Sequence, residues 1–372
     1  MSAARPAINV IERNPYSPQP FVFTEVAVCL RDAIRAAGCA SEHLVNRIDP
    51  GAYSIVLGGN ANLAKELPGL DPLRCAIFNF EQLGSTSNLA GPEYRAWLAD
   101  WLVLDYHSIN IDVLRRENGA KQLAVELPLV PSESLATSGN EEKTTDVLFF
   151  GTMSDRRAHV LREVEAMGLK VEVVQGAYGA ELAPAIRRAK LVLHVHYYER
   201  ALFPVARFLQ PTVMGVPIVC EESVVSELGD WSHSGIVFAR YEDLADACRE
   251  MLDSPERMAR RVEITREFVQ HIDFETSLER VVRAFESLPF HASAVIEEEA
   301  PALPADGEDR PLSDEEIEAI LLAEGASPPA ADQPAPRLDV VRREPGHGHF
   351  GKWIAWLLVF FMVAGAVKAY YS

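Results

Sequence analysis

Between Ala7 and Leu288, short apolar runs alternate with segments of helical period, and this alternation constrains the fold more than any other feature of the chain. Strands are expected at Ile8–Ile11, Tyr53–Leu57, Cys75–Phe80, Trp101–Asp105, Val147–Phe150, Val171–Val174, Leu191–His196, Ile218–Cys220 and Ile236–Phe238. Helices are expected at Phe23–Ala37, Glu93–Ala99, Ile109–Asn118, Asp155–Met167, Glu181–Ala189, Phe203–Met214 and Glu242–Leu252. Strands that alternate with helices specify parallel sheets covered on both faces. A polar break at 128–143 divides the series, and the run Asp146–Phe150 starts it again. The expected fold class is therefore α/β, with two doubly wound, Rossmann-like domains at 1–135 and 144–290 facing a cleft. Two long helices, Pro255–His271 and Phe274–Ser287, close the folded body. In such folds ligands bind beyond the carboxyl ends of the strands, where strand order switches.

The remainder of the chain has a different character. Residues 291–345 hold eight prolines, fourteen acids and four arginines, a net charge of −10. So little apolar surface cannot offset chain entropy, so 291–349 reads as a disordered acidic linker. Within it, Ser313-Asp314-Glu315-Glu316 followed by Ile317, Ile320, Leu321 and Gly325 forms a capping-box pattern. This 313–325 segment is expected to be a short amphipathic helix that docks a protein partner or forms only fleetingly. From Trp353 to Tyr371 the sequence is apolar all round except for Lys368. At 1.5 Å per residue that run spans about 28 Å, near the thickness of a bilayer core. A single transmembrane helix is expected within 350–372, inserted after translation. Arg342, Arg343 and Lys352 precede it, which favours a folded body on the cytosolic side of a cytoplasmic (inner) membrane. Met1 to Pro15 lacks an apolar core and is not a secretory signal.

Charge excludes one class of function. The chain carries 54 acids against 35 bases, a net −19, whereas a general nucleic-acid binder needs a basic face. The five cysteines are scattered with no C-x-x-C pair, which argues against a disulfide framework or zinc knuckle and fits a reducing compartment.

The strongest candidate for phosphate binding is Phe149-Phe150-Gly151-Thr152-Met153-Ser154-Asp155-Arg156-Arg157. A strand ends in glycine, a serine caps the following helix, and two arginines occupy its first turn. Helix N-termini and guanidinium forks both suit phosphate oxygens, and arginine is unfavourable at this end of a helix without an anion. His194-Val195-His196-Tyr197-Tyr198 places His196 and Tyr197 at a strand exit; a metal is disfavoured because no third ligand is adjacent. Arg207 follows Phe203-Pro204 by one turn, and Pro211 predicts a kink or break in that helix. Glu221 leaves the strand after Gly215-Val216-Pro217 and suits sugar hydroxyls or a helix cap. In the first domain, Phe78-Asn79-Phe80-Glu81-Gln82 and Asp105-Tyr106-His107-Ser108-Ile109-Asn110 bring polar groups to the cleft edge, although Asp105 and Ser108 also fit helix caps. Gly346-His347-Gly348-His349-Phe350-Gly351-Lys352 matches two nucleotide-binding patterns, but no strand precedes it, so it reads as a juxtamembrane hinge.

Together these residues resemble the GT-B glycosyltransferases of the bacterial group-1, family-4-like type. The likeness runs over roughly 5–290, through Phe149–Arg157, His196–Tyr198, Gly215–Glu221, Glu81-Gln82 and Asp105–Asn110. It implies sugar transfer from a nucleotide-sugar donor without a metal or other cofactor. It further implies that Arg156, Arg157 and Arg207 clamp the donor diphosphate, with Gly151 and Thr152 in the substrate site. Glu221 would hold the ribose or sugar, and His196 and Tyr197 would line the donor pocket. His107 would be the acceptor-side acid or base, with Asp105 and Glu81 nearby and Asn110 in the substrate site. With the anchor, the acceptor is expected to be lipid-linked or a surface glycan. The chain departs from the family pattern at its E-x7-E positions, which are Leu202 and Gln210, and at Pro204, where related chains carry an acid. Loss of those acids leaves open a catalytically inactive, membrane-tethered scaffold. A nucleotide-sugar epimerase on the same plan is a third reading.

Overall fold

The computed structural model describes residues 5–59, 63, 67–83, 91–139, 141–223, 229–298 and 340–341. The 313–325 helix, the 346–352 hinge and the apolar run 353–371 lie outside the described residues. Among the described residues no helix is long and apolar enough to cross a membrane.

Two six-stranded, wholly parallel sheets form the body. The first contains β1 (Ile8–Glu12), β2 (His43–Val45), β3 (Tyr53–Leu57), β4 (Cys75–Phe78), β5 (Leu102–Asp105) and β6 (Ala124–Glu126), in the order β2-β1-β3-β4-β5-β6. The second contains β7 (Thr145–Phe150), β8 (Val171–Val174), β9 (Ala189–His194), β10 (Ile218–Glu221), β11 (Val237–Ala239) and β12 (Val340–Val341), in the order β11-β10-β9-β7-β8-β12. Every residue of β1, β4, β5 and β10 is buried, as expected of strands with helices on both faces. Strand order reverses between β1 and β3 in one sheet and between β7 and β9 in the other. The carboxyl ends at the second reversal are Phe150 and His194.

The helices bounded within the described residues are α1 (Thr24–Ala36), α2 (Pro92–Leu98), α3 (Ser108–Asn118), α4 (Asp155–Ala166), α5 (Ala183–Arg188), α6 (Leu209–Val213), α7 (Leu244–Leu252), α8 (Pro255–Gln270) and α9 (Phe274–Glu298). Ser154 caps α4 by accepting the Arg157 N–H, and Ser254 caps α8 in the same way. After crossing from the second lobe, α9 returns to the first. Phe285 on α9 stacks on Tyr53 of β3 with ring centroids 4.4 Å apart, and Arg5 pairs with Glu275 at 2.8 Å. One apolar cluster consequently runs through both lobes, from Ile8 and Phe78 to Leu148, Phe208 and Leu288. The outer faces of the two sheets pack separate clusters of their own.

Several sequence expectations need correcting. The single helix expected at Phe203–Met214 is a 3-10 turn, Val205–Phe208, followed by α6. The expected break is present, between Phe208 and Leu209, and it leaves Pro211 in the first turn of α6, where its missing N–H has no intrahelical partner to lose. Strand β9 covers 189–194 rather than 191–196, so His196 lies in the loop beyond it. Strand β4 ends at Phe78; Asn79, next in the chain, still donates its N–H to the Leu104 carbonyl at 2.8 Å and its side-chain amide to Asp105. Helix α9 extends to Glu298, into the segment expected as disordered; its Ala- and Glu-containing sequence after Pro289 favours helix. Val340 and Val341, also in the expected linker, pair with Val173 and Val174 at the edge of the second sheet. The three-residue strands β2 and β6 carried too little periodicity to be seen in the sequence.

Candidate functional site

A cavity of ≈ 200 Å³ lies between the lobes. The second lobe contributes Phe150 at the end of β7 with Gly151 and Thr152 after it, His194 and His196 at the exit of β9, and Arg157, Arg207 and Gln210. The first lobe faces them with Glu25 from α1 and Glu81, Gln82 and Tyr106 from the loops after β4 and β5. The second lobe's contribution thus surrounds the strand reversal between β7 and β9.

Two cations dominate the second-lobe wall. Arg157 is buried; its Nε donates to the Val195 carbonyl at 2.9 Å and its Nη1 to the Thr152 carbonyl at 2.6 Å. Arg207 donates Nη1 to the Phe150 carbonyl at 3.1 Å. Neither arginine forms an ion pair with a carboxylate among the described residues. Burial, followed by the charge of Arg207, pushes the Arg157 pKa down to about 9, and burial also lowers that of Arg207. Two desolvated cations that repel each other and rest on carbonyls and, for Arg157, on the faces of Phe149 and Tyr197 make a site that favours an anion. Gly151 makes the arrangement possible: its φ is +127°, and a Cβ there would stand 2.6 Å from Arg207 Nη1.

Arg156 and Glu221 are placed differently from these. The Arg156 guanidinium grips the Glu221 carboxylate bidentately, with one contact at 2.6 Å, and lies 3.9 Å from the centroid of the Tyr241 ring. Glu221 also accepts the His196 N–H at 2.8 Å. Neither residue is among those lining the cavity, and the pair fixes the β9 and β10 exits from behind. His194 and His196 do line it, with ring centroids 5.2 Å apart. Burial first, then the nearby arginines, holds the His196 pKa down to about 3, and His194 also falls well below the usual range. Both imidazoles are therefore neutral, and the Nε2 atom of each has no hydrogen-bond partner among the described residues. Tyr197 lines the same wall, 5.1 Å from the Arg157 guanidinium.

On the first-lobe side, Asp105 is wholly buried. It accepts from Asn79 Nδ2 at 2.6 Å, Asn110 Nδ2 at 2.9 Å and the His107 N–H at 2.7 Å. Burial still raises its pKa to about 7 against those three donors. Asp105 and Asn110 thus support the loop that carries Glu81, whose backbone carbonyl accepts from both Asn79 and Asn110. His107 stands at the N-terminus of α3, outside the cavity lining, with burial lowering its pKa to about 4. Of the three residues expected to catalyse, only Glu81 lines the cavity, and burial raises its pKa to about 7. Glu25, which the sequence reading passed over, also lines it; burial raises its pKa to about 7 as well. An acid in the first turn of a helix ordinarily reads as a partner for the helix dipole, so the sequence held no sign of its position.

Comparison with known proteins identifies the architecture. No family model matches the chain. An uncharacterized protein of Acanthamoeba polyphaga mimivirus is 34% identical over 108 residues, which is 28% of this chain and 12% of that protein. A second from the same virus is 23% identical over 180 residues, 46% of this chain and 58% of that protein. The chain therefore spans less than two thirds of either relative. Among solved structures, Anabaena HepE with UDP and glucose aligns with a TM-score of 0.50 and 11% identity, covering 76% of this chain and 100% of that one. An α-glucosyltransferase solved with UDP and a 13-mer DNA aligns at 0.49 and 11%, covering 76% and 100%. WaaG, a glycosyltransferase involved in lipopolysaccharide biosynthesis, aligns at 0.45 and 12%, covering 74% and 98%. The chain has the GT-B fold: two Rossmann-like parts that face each other across a cleft.

Proposed function

We propose that the chain is a glycosyltransferase that moves a sugar from a nucleotide-sugar donor to an acceptor hydroxyl. The observation that carries this reading is the pair Arg157 and Arg207, two cavity-lining cations without carboxylate partners. A diphosphate laid between them would restore charge balance to that wall. In the reaction the bond from the anomeric carbon to the phosphate oxygen breaks, and its electron pair stays on the diphosphate. The acceptor oxygen forms the new bond to the same carbon. Arg157 and Arg207 stabilise the charge that develops on the leaving diphosphate, without a metal. Glu81, on the opposite wall, takes the acceptor's proton; its pKa of about 7 suits a general base at neutral pH.

The proposal includes a tether. The apolar run 353–371 moors the folded body to the cytosolic face of a membrane and concentrates it near a lipid-linked or surface-glycan acceptor. Sedimentation with membranes that is lost when the chain is cut after residue 345 tests that element.

Isothermal titration with UDP, GDP and dTDP and their sugars tests the function itself. Binding of one nucleotide class, lost in an Arg157→Ala and Arg207→Ala double variant, is expected. Binding of none, by correctly folded protein, overturns the reading. A catalytically inactive scaffold is the alternative, motivated by Leu202 and Gln210 at positions where related chains carry acids. It predicts no turnover of any donor and an unchanged phenotype when both arginines are replaced.

A further inference from the structure

The cavity wall opposite the two arginines is built mainly from apolar side chains. Val22 and Phe23 immediately precede α1, Val26 lies in its first turn, Phe80 follows β4 and Tyr106 follows β5. Their rings pack together, with centroids 4.9 Å apart for Phe23 and Phe80 and 6.3 Å for Phe80 and Tyr106. Phe80 rests in turn on Phe78 of β4 at 4.9 Å, which ties this wall to the core. Polar side chains are few here, and two of them are already engaged with the second lobe. Glu25 accepts the Gly179 N–H, and Gln82 Oε1 accepts the Leu202 N–H at 3.0 Å. The Glu81 carboxylate and the Tyr106 hydroxyl have no hydrogen-bond partner among the described residues.

Charge and hydrogen bonding together restrict what can lie against this wall. Among the described residues that line the cavity, the arginines and lysines are Arg157 and Arg207, both on the second lobe and both committed to the donor diphosphate in the reading above. A phosphorylated acceptor would meet two acids, Glu25 and Glu81, with those two cations already neutralised. A glycan carries hydroxyls on every side, and each one buried without a partner costs about 1–3 kcal/mol. Glu81 and Tyr106 cannot serve them all. A single uncharged hydroxyl on an apolar body meets neither obstacle. Its O–H donates to Glu81, and its body covers Val22, Phe23 and Phe80 with a gain of about 25 cal/mol per Å² removed from water. We propose that the first-lobe wall binds an acceptor of that class, a neutral lipid alcohol, in place of a glycan or a lipid phosphate. The apolar run 353–371, the tether of the proposed function, would hold such a wall beside membrane lipid. This assignment rests on the nucleotide-sugar reading above and narrows its acceptor.

The test holds the apolar body constant and changes its head. Equilibrium dialysis of the full-length chain, with and without UDP or GDP, uses four radiolabelled probes: dioctanoylglycerol, the phosphatidic acid with the same two chains, maltotriose, and the phenol methylumbelliferone. The lipids are kept below their micelle-forming concentrations. Dioctanoylglycerol is expected to bind at least about 10-fold more tightly than each of the other three. Val22→Asp, which sets a charge at a partly exposed position, and Phe80→Ser should each weaken it by at least about 10-fold, with nucleotide affinity within about 2-fold of the wild type. Retained nucleotide binding shows that the variants are folded, and the comparison of heads in the wild type depends on neither of them. Nucleotide binding without that preference for dioctanoylglycerol, or a preference that both variants retain, overturns the neutral-lipid acceptor and leaves the nucleotide-sugar reading standing. Dioctanoylglycerol binding without binding of either nucleotide overturns the sugar-transfer reading alone. A wild type that binds neither class overturns both.

Discussion

The Arg207 guanidinium occupies the space that a side chain on Gly151 would need, with Nη1 2.6 Å from the position of the absent Cβ. Sequence thus couples a strand exit in β7 to an arginine 56 positions later, just ahead of α6. The glycine also holds φ = +127°, a conformation that other residues adopt only under strain.

Gly151→Ala is expected to displace Arg207 and to strain the backbone by about 1–3 kcal/mol. Nucleotide affinity should weaken by at least about 10-fold, equivalent to about 1.4 kcal/mol. Titration with UDP or GDP alongside urea denaturation measures both effects. An unchanged affinity would show that Arg207 does not touch the ligand.

Arg207→Met should separate stability from binding. The arginine is a desolvated cation with a single hydrogen bond from its side chain among the described residues, so an apolar residue of similar volume is neutral or stabilising in its place. Its melting temperature should not fall below that of the wild type, while the ligand-induced rise in melting temperature disappears. A large drop without ligand would mean that the guanidinium serves the fold.

Glu221→Gln is expected to behave in the opposite way. It leaves the partly buried Arg156 charge without its bidentate partner, a change expected to cost about 2–3 kcal/mol, below the about 3–5 kcal/mol of a fully buried pair. Chemical denaturation should register that loss directly. A shift below about 1 kcal/mol would make the pair a solvated contact rather than a brace.

pH should move stability and turnover in opposite directions. Burial raises the Glu81 pKa from 4.5 to about 7, so the folded chain holds a proton there that the unfolded chain releases above about 4.5. Its contribution to stability is therefore greatest below pH 4.5 and declines as pH climbs to 7. Turnover, which needs the ionised base, should rise over the approach to pH 7 and level off above it. In Glu81→Gln the stability slope between pH 5 and 7 should shrink and the turnover should collapse. A rate that is flat from pH 5 to 8 in the wild type would remove Glu81 from catalysis.

The alternation of apolar runs and helical segments was enough to read two parallel sheets, because a strand such as Val171–Val174 is identifiable from four consecutive residues. The site was less legible. Gly151, Thr152, Arg157 and Arg207 could be singled out because glycine and arginine at strand and helix ends have few ordinary uses. Arg156 could not be told from Arg157 in the sequence. Adjacent residues on α4 point in different directions, and only the fold brings Glu221 to one and leaves the other to carbonyls. The family resemblance pointed to His107 as the acid or base, yet the loop after β5 reaches the cavity through Tyr106, and the loop after β4 supplies Glu81. Glu25 needed the opposite lobe to be in place before its position meant anything. The run Phe203–Met214 misled through Pro204 and Pro211, which together fit either one kinked helix or a turn followed by a new helix.

The apolar cluster that passes from Ile8 through Phe208 to Leu288, with Phe285 laid on Tyr53, also bears on how the protein can be handled and how it evolves. Half-genes split at the 128–143 break would each expose raw greasy surface, and exchanging one half for that of a distant cousin would demand matched substitutions across the seam. Calorimetry on the intact chain should give a single endotherm, and the halves can be inherited only as a unit.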